Sequence, residues 1–120
     1  MPEAKLTFTE ETIDQVKIFR LEGKILGGKD TLELCNRIET TTKENIKRYI
    51  LDFENTKWLN SNGIGSIIAC IKIIRKSGGE LRFTNVKNVV EIYFRFTRLE
   101  TIVEIFDNIP DALKSFESNT

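Results

Sequence analysis

The chain has 120 residues, 40% of them hydrophobic and 30% charged, which bounds it to one globular domain able to bury a core without disulfide or metal staples. Its 18 Lys and Arg balance 18 Asp and Glu, so it lacks the concentrated positive charge that a nucleic-acid surface requires. It contains no histidine, which removes every Ser-His or Cys-His nucleophile and every His-containing metal site.

No EF-hand loop and no pair of acids placed for proton transfer stand out either, so the chain reads as a non-enzyme. Met1-Pro2-Glu3-Ala4-Lys5 has no apolar signal-peptide core, and no stretch approaches the roughly 18 apolar residues of a membrane span. The expectation is a cytoplasmic protein without direct membrane insertion. Cys35 and Cys70 sit among apolar residues and form no CxxC pair, which predicts buried, reduced thiols.

In chain order, Thr12 to Leu21 is rich in β-formers, with Val16 and Ile18 on one face and Phe19 and Leu21 on the other. A second run, Gly23 to Leu26, follows so soon that an antiparallel pairing and a bulged continuous strand are both open. Asp30 and Glu33 resemble a capping box, and Leu32, Leu34, Cys35 and Ile38 then make one helical stripe. Lys47 to Phe53 predicts a strand inside the sheet, with Tyr49, Leu51 and Phe53 opposite Ile50.

Ile64, Ile67, Ile68, Ile71 and Ile74 give the clearest helix, stopped by Ser77-Gly78-Gly79. Leu81 and Phe83 alternate with Arg82 and Thr84 as a short strand, and Val86, Val89, Tyr93 and Phe96 mark another helical face. Thr101 to Phe106 is strand-like. Asp107 or Asn108 caps a last helix with Pro110 in its first turn and Ile109, Leu113 and Phe116 as its inner stripe. Strands separated by helices of this length imply βαβ units and a partly parallel sheet.

The stretch that carries function lies between the third strand and the second helix, ending in Trp58-Leu59-Asn60-Ser61-Asn62-Gly63-Ile64-Gly65. A loop is expected after Phe53, with the helix starting near Ser61. Asn60, Ser61 and Asn62 can each cap that helix, and Gly63 and Gly65 would let a partner approach its backbone. Ser61 therefore reads either as the N-cap or as an exposed phosphoacceptor. A phosphate there is tolerated by the helix dipole yet inverts the charge of the binding surface. Gly63-Ile64-Gly65 is no dinucleotide cradle, because Ile68 stands where the third glycine belongs and no Walker lysine follows. Trp58 reads as core packing or, if exposed beside Ser61, as an interface anchor.

The element order and the Asn60-Ser61-Asn62-Gly63-Ile64-Gly65 motif together resemble the STAS family, the anti-sigma factor antagonist fold, over nearly the whole chain. The resemblance implies one α/β domain spanning residues 1–120, a mixed sheet with helices packed mainly on one face. It also implies partner switching, in which the unmodified chain binds an anti-sigma factor that is also a serine kinase. That kinase would phosphorylate Ser61, and a metal-dependent serine phosphatase would restore it. Trp58, Lys24, Asn60, Asn62, Gly63 and Ile64 would form the partner-binding surface. ATP and magnesium belong to the kinase, so the chain itself would carry no cofactor.

Three positions differ from the family's pattern. Asn60 replaces its acid, Asn62 its Ser or Thr, and Gly23-Lys24-Ile25-Leu26 its Gly-Glu-[LI]-Asp. The altered asparagines also favour an alternative role as a constitutive scaffold or transporter-associated subunit that is never phosphorylated.

Overall fold

A computed structural model describes residues 5–117. Five strands form one sheet in the order in which they occur: β1 (Thr7–Ile13), β2 (Val16–Ile25), β3 (Arg48–Leu59), β4 (Glu80–Thr84) and β5 (Glu104–Phe106). Only β1 and β2 are antiparallel, and the other neighbours run parallel. The helices are α1 (Lys29–Lys43), α2 (Ser61–Lys76), α3 (Asn88–Phe96) and α4 (Ile109–Glu117), with a 3-10 turn at Leu99–Thr101.

This order decides where the helices go. Right-handed crossovers between successive parallel strands put α1, α2 and α3 on the same face. The large core lies there, with Leu34, Ile38, Ile67, Ile71, Ile74, Val90 and Phe94 packed on Phe19, Leu51, Phe53 and Phe83. Each such aliphatic or aromatic side chain stabilises the fold by roughly 1.5–3 kcal/mol when fully buried. That is what holds α2 helical despite its run of β-branched isoleucines. After β5 the chain passes to the opposite face, where α4 sets Ala112 and Phe116 against Val16, Ile18 and Ile50. Arg82, itself buried, stacks its guanidinium 4.4 Å from the Phe116 ring centroid and donates to Ser115 Oγ at 3.1 Å.

Several expectations hold. Val16 and Ile18 do face away from Phe19 and Leu21, and Ile50 faces away from Tyr49, Leu51 and Phe53. Asn108 rather than Asp107 caps α4, its Oδ1 accepting from the Asp111 N–H at 2.8 Å.

Other expectations need correction. The run from Thr12 to Leu21 is interrupted by the hairpin turn at Asp14-Gln15, whereas of the two alternatives for Gly23 to Leu26 the bulged continuous strand is the one formed, Gly23 to Ile25 extending β2 with register shifts opposite β3. Thr7 to Glu11, unassigned in the sequence reading, completes an edge strand. Asp30 is no capping-box residue: Gly28 holds the N-cap position, and the Asp30 carboxylate instead accepts from the Leu6 N–H at 2.7 Å. Leu32 points to solvent at 58% exposure, and Thr31, Leu34, Cys35, Ile38 and Thr41 form the buried stripe of α1. Phe96, at 83% exposure, likewise leaves its expected stripe, because Val90 and Phe94 are the inward residues of α3. The segment from Thr101 to Phe106 begins in the 3-10 turn, so its strand is only β5.

Candidate functional site

The expected loop after Phe53 does not exist. β3 continues to Leu59, and its second half gains two residues on β2: the pairing steps from Arg20–Asp52 to Glu22–Asn55, then from Gly23–Thr56 to Lys24–Trp58. Extra residues on one strand bend it and raise its twist. The bent end carries Trp58 out of the core and delivers the chain straight into α2. Glu54, Asn55 and Lys57 along this half are exposed, which is why their polar run reads as a loop.

One residue separates strand from helix. Asn60 is the N-cap of α2: its Oδ1 accepts from the Gly63 N–H at 2.7 Å, and its carbonyl from the Ile64 N–H at 2.9 Å. The Asn60 N–H donates to the Ile25 carbonyl at 3.3 Å, tying the cap to the end of β2. A neutral carboxamide thus does the hydrogen-bonding work that an aspartate would do at this place.

Ser61 is consequently not the cap. It is the first residue of α2, it is exposed, and its hydroxyl makes no hydrogen bond among the described residues. The first turn of α2 contains no acidic residue. Added negative charge at Ser61 would meet unpaired N–H groups and the positive end of the helix dipole.

Gly63 serves the fold. A β-carbon there would stand 1.9 Å from the Ile25 carbonyl oxygen, and the residue is buried. Ile64 is buried too, at 6% exposure, inside the large core. Neither offers a surface for direct contact; both hold the first turn of α2 against β2. Gly65 differs, being exposed with open space where its side chain would be.

Around Ser61 the exposed residues converge. Asn62 is exposed beside it, with Gly27 packed so closely against it that a β-carbon on Gly27 would lie 2.6 Å from the Asn62 Cβ. Gly27 adopts φ +82°, which a side chain would strain. Trp58 is 43% exposed and leans edge-on against Tyr93 of α3, ring centroids 6.0 Å apart. Lys24, exposed, is the register partner of Trp58 on β2, about one strand spacing of 4.8 Å away. Leu26, which the sequence reading passed over, is also exposed on this rim. Its signal was an apolar residue standing directly before Gly27-Gly28 at the end of a strand. The patch lies at the carboxyl ends of parallel strands, the edge where open α/β sheets present binding surfaces.

Below the patch, Asp52 is buried on β3 and accepts from Thr84 Oγ1 at 2.7 Å and Asn85 Nδ2 at 2.6 Å, stitching β3 to the end of β4. Among the described residues no group of three or more His, Cys, Asp or Glu side chains could hold a metal, and no helix is long and apolar enough to cross a membrane.

A family profile described as STAS domain matches residues 7–112. The chain is 26% identical over 102 residues to the anti-sigma F factor antagonist of Paenibacillus polymyxa, with 85% of this chain and 87% of that protein covered. The crystal structure of an anti-sigma factor antagonist from Mycobacterium paratuberculosis superposes with a TM-score of 0.79 at 19% identity, covering 92% of this chain and 93% of the other. The antagonist SpoIIAA of Bacillus, solved in unphosphorylated and phosphorylated forms, superposes with a TM-score of 0.72 at 16% identity, covering 95% and 100%.

Proposed function

Because the chain belongs to the STAS domain family, we propose that it is an anti-sigma factor antagonist that binds an anti-sigma factor and is switched off by phosphorylation of Ser61. One observation carries this reading. The Ser61 hydroxyl is exposed and unbonded at the start of α2, because Asn60 has taken the capping role that would otherwise occupy it.

The partner in this reading is an anti-sigma factor with serine kinase activity, and a serine phosphatase reverses the modification. The partner meets Lys24, Leu26, Trp58, Ser61 and Asn62, with Trp58 as the aromatic anchor. Asn60, Gly63 and Ile64 support that surface from beneath by fixing the first turn of α2. A phosphate on Ser61 adds about −1.5 to −2 charges. The helix accommodates them, while a partner seated on the same turn would have to desolvate them without a cation prepared to pair. Binding is lost and the fold is kept. The chain performs no catalysis in this scheme, and the nucleotide and metal stay with the kinase.

Lys24 stands where many family members carry an acid, which gives the rim a positive charge next to Trp58. The reading therefore requires an acidic residue on the partner opposite Lys24. Incubation with the anti-sigma kinase and ATP, followed by peptide mass spectrometry, tests the switch. A single phosphate on Ser61, absent from Ser61→Ala, supports it. An unmodified Ser61 in a chain that still binds the kinase rejects the switch and leaves a constitutive binding module.

A further inference from the structure

Cys35 and Cys70, both buried, belong to facing helices. Cys35 lies on the buried stripe of α1 and Cys70 on that of α2. The Cys35 Sγ–H points at the Ser66 carbonyl at 3.5 Å. In α2, Ser66 is four residues before Cys70, so that same carbonyl receives the Cys70 N–H. This puts the Cys35 sulfur at the turn from which the Cys70 side chain projects.

We propose that Cys35 and Cys70 are a peroxide-sensitive pair that closes an intramolecular disulfide between α1 and α2. The two sulfurs have unequal parts. Cys35 retains 7% exposure at the edge of the core, and its nearness to Cys70 lowers its pKa against the opposing effect of burial. Cys70 is fully buried, and its closeness to Cys35 together with desolvation pushes its pKa far up. Cys35, the more accessible of the two, is the sulfur that peroxide reaches first, and it reacts as its thiolate.

The chemistry balances with hydrogen peroxide as the named oxidant. The Cys35 thiolate attacks one peroxide oxygen, the O–O bond breaks, and the hydroxide released takes up a proton as water, leaving a sulfenic acid. The Cys70 sulfur then attacks the Cys35 sulfur, the S–OH bond breaks, and a second water leaves with the Cys70 proton. Overall, two thiols and one peroxide yield one disulfide and two waters. The bond would fasten α2, whose first residue is Ser61, to α1 at its middle, closing a loop that includes all of β3. Such a closure removes conformations from the unfolded chain.

The proposal does not depend on the Ser61 reading and is tested on the full chain without any partner. Reduced protein is treated with hydrogen peroxide, blocked with iodoacetamide, and analysed by intact and peptide mass spectrometry. The expected result is a monomer two hydrogens lighter, a Cys35–Cys70 cross-linked peptide, a higher melting temperature, and full reversal by dithiothreitol. In Cys70→Ser, dimedone labels Cys35, because the resolving thiol is gone. In Cys35→Ser, Cys70 stays unlabelled under the same exposure. A wild-type chain in which peroxide leaves both thiols free, or drives Cys35 to sulfinic acid with Cys70 untouched, overturns the proposal. So does a disulfide found only between two chains.

Discussion

The carbonyl oxygen of Ile25 occupies the space that a β-carbon on Gly63 would need, 1.9 Å from where that carbon would stand. The end of β2 and the first turn of α2 are thereby in direct backbone contact, and the Asn60 N–H bonds the same carbonyl at 3.3 Å. Ser61 is held in place by this contact without taking part in it. A hydroxyl positioned by its neighbours and bonded to none of them is free to be modified while the turn stays formed.

Gly63→Ala is therefore expected to be the most damaging single-methyl change in the site. Backbone cannot yield as a side-chain tip can, so the first turn of α2 must move off β2. Overpacking of this kind costs about 1–3 kcal/mol, read as a fall in the urea midpoint. Gly65→Ala, where the space is open, should raise stability slightly through helix propensity.

Asn60→Ala removes the side-chain acceptor for the Gly63 N–H. A loss of about 1 kcal/mol is expected in chemical denaturation. Asn60→Asp should match or exceed the wild type at neutral pH, because it keeps the oxygen and adds a charge favourable to the helix N-terminus. Both variants keep Ser61, so the pair separates the capping contribution from the phosphoacceptor.

Trp58→Ala should leave stability nearly unchanged, since the ring is half exposed and, among the described residues, its edge contact with Tyr93 is the one aromatic pairing it makes. Binding to the anti-sigma factor should weaken by about 2 kcal/mol or more, as is usual for an aromatic anchor. Titration calorimetry on a variant whose urea midpoint is unchanged distinguishes this outcome from simple unfolding.

Acid should weaken the edge of the sheet through Glu10. Its carboxylate receives two hydrogen bonds from Arg37, at 2.5 and 2.9 Å, and an ion pair from Lys17 at 3.2 Å. The Arg37 hydrogen bond holds its pKa below the ordinary value near 4.5, against desolvation and with help from Lys17. A carboxyl lowered on folding contributes stability that is complete above its unfolded pKa and is lost as pH falls through the folded one. Urea midpoints should therefore fall below about pH 4.5, and Glu10→Gln should lose roughly 1 kcal/mol at neutral pH with a shallower acid slope.

Much of the α2 side of the fold was legible in the sequence because burial there is one-sided and periodic. The isoleucine spacing located α2, and Gly78 followed it as a stop. The misses have specific causes. Thr7 to Ile13 is an edge strand in which Phe8 and Ile13 are the apolar side chains, so its alternation is faint. Its turn uses Asp14 and Gln15, both left-handed, without the glycine that usually signals such a hairpin. The second half of β3 reads as a loop because Glu54, Asn55 and Lys57 are exposed polar residues that break the apolar alternation of the first half. Phe96 and Leu32 misled because hydrophobicity alone does not say which face of a helix turns inward. At the site, the motif gave the position of Ser61, but three adjacent residues able to cap left open which one does. The bond from the Gly63 N–H to the Asn60 side-chain oxygen resolves that choice, and it depends on where β2 ends, which no local pattern records.

The central functional claim is that one phosphate on Ser61 weakens binding without disturbing the fold. The direct measurement is calorimetric titration of the anti-sigma factor with the unmodified chain and with the chain stoichiometrically phosphorylated at Ser61, each checked by circular dichroism. The expected result is superimposable spectra and an affinity at least tenfold weaker after phosphorylation, a difference of about 1.4 kcal/mol or more. Equal affinities for the two forms would contradict it.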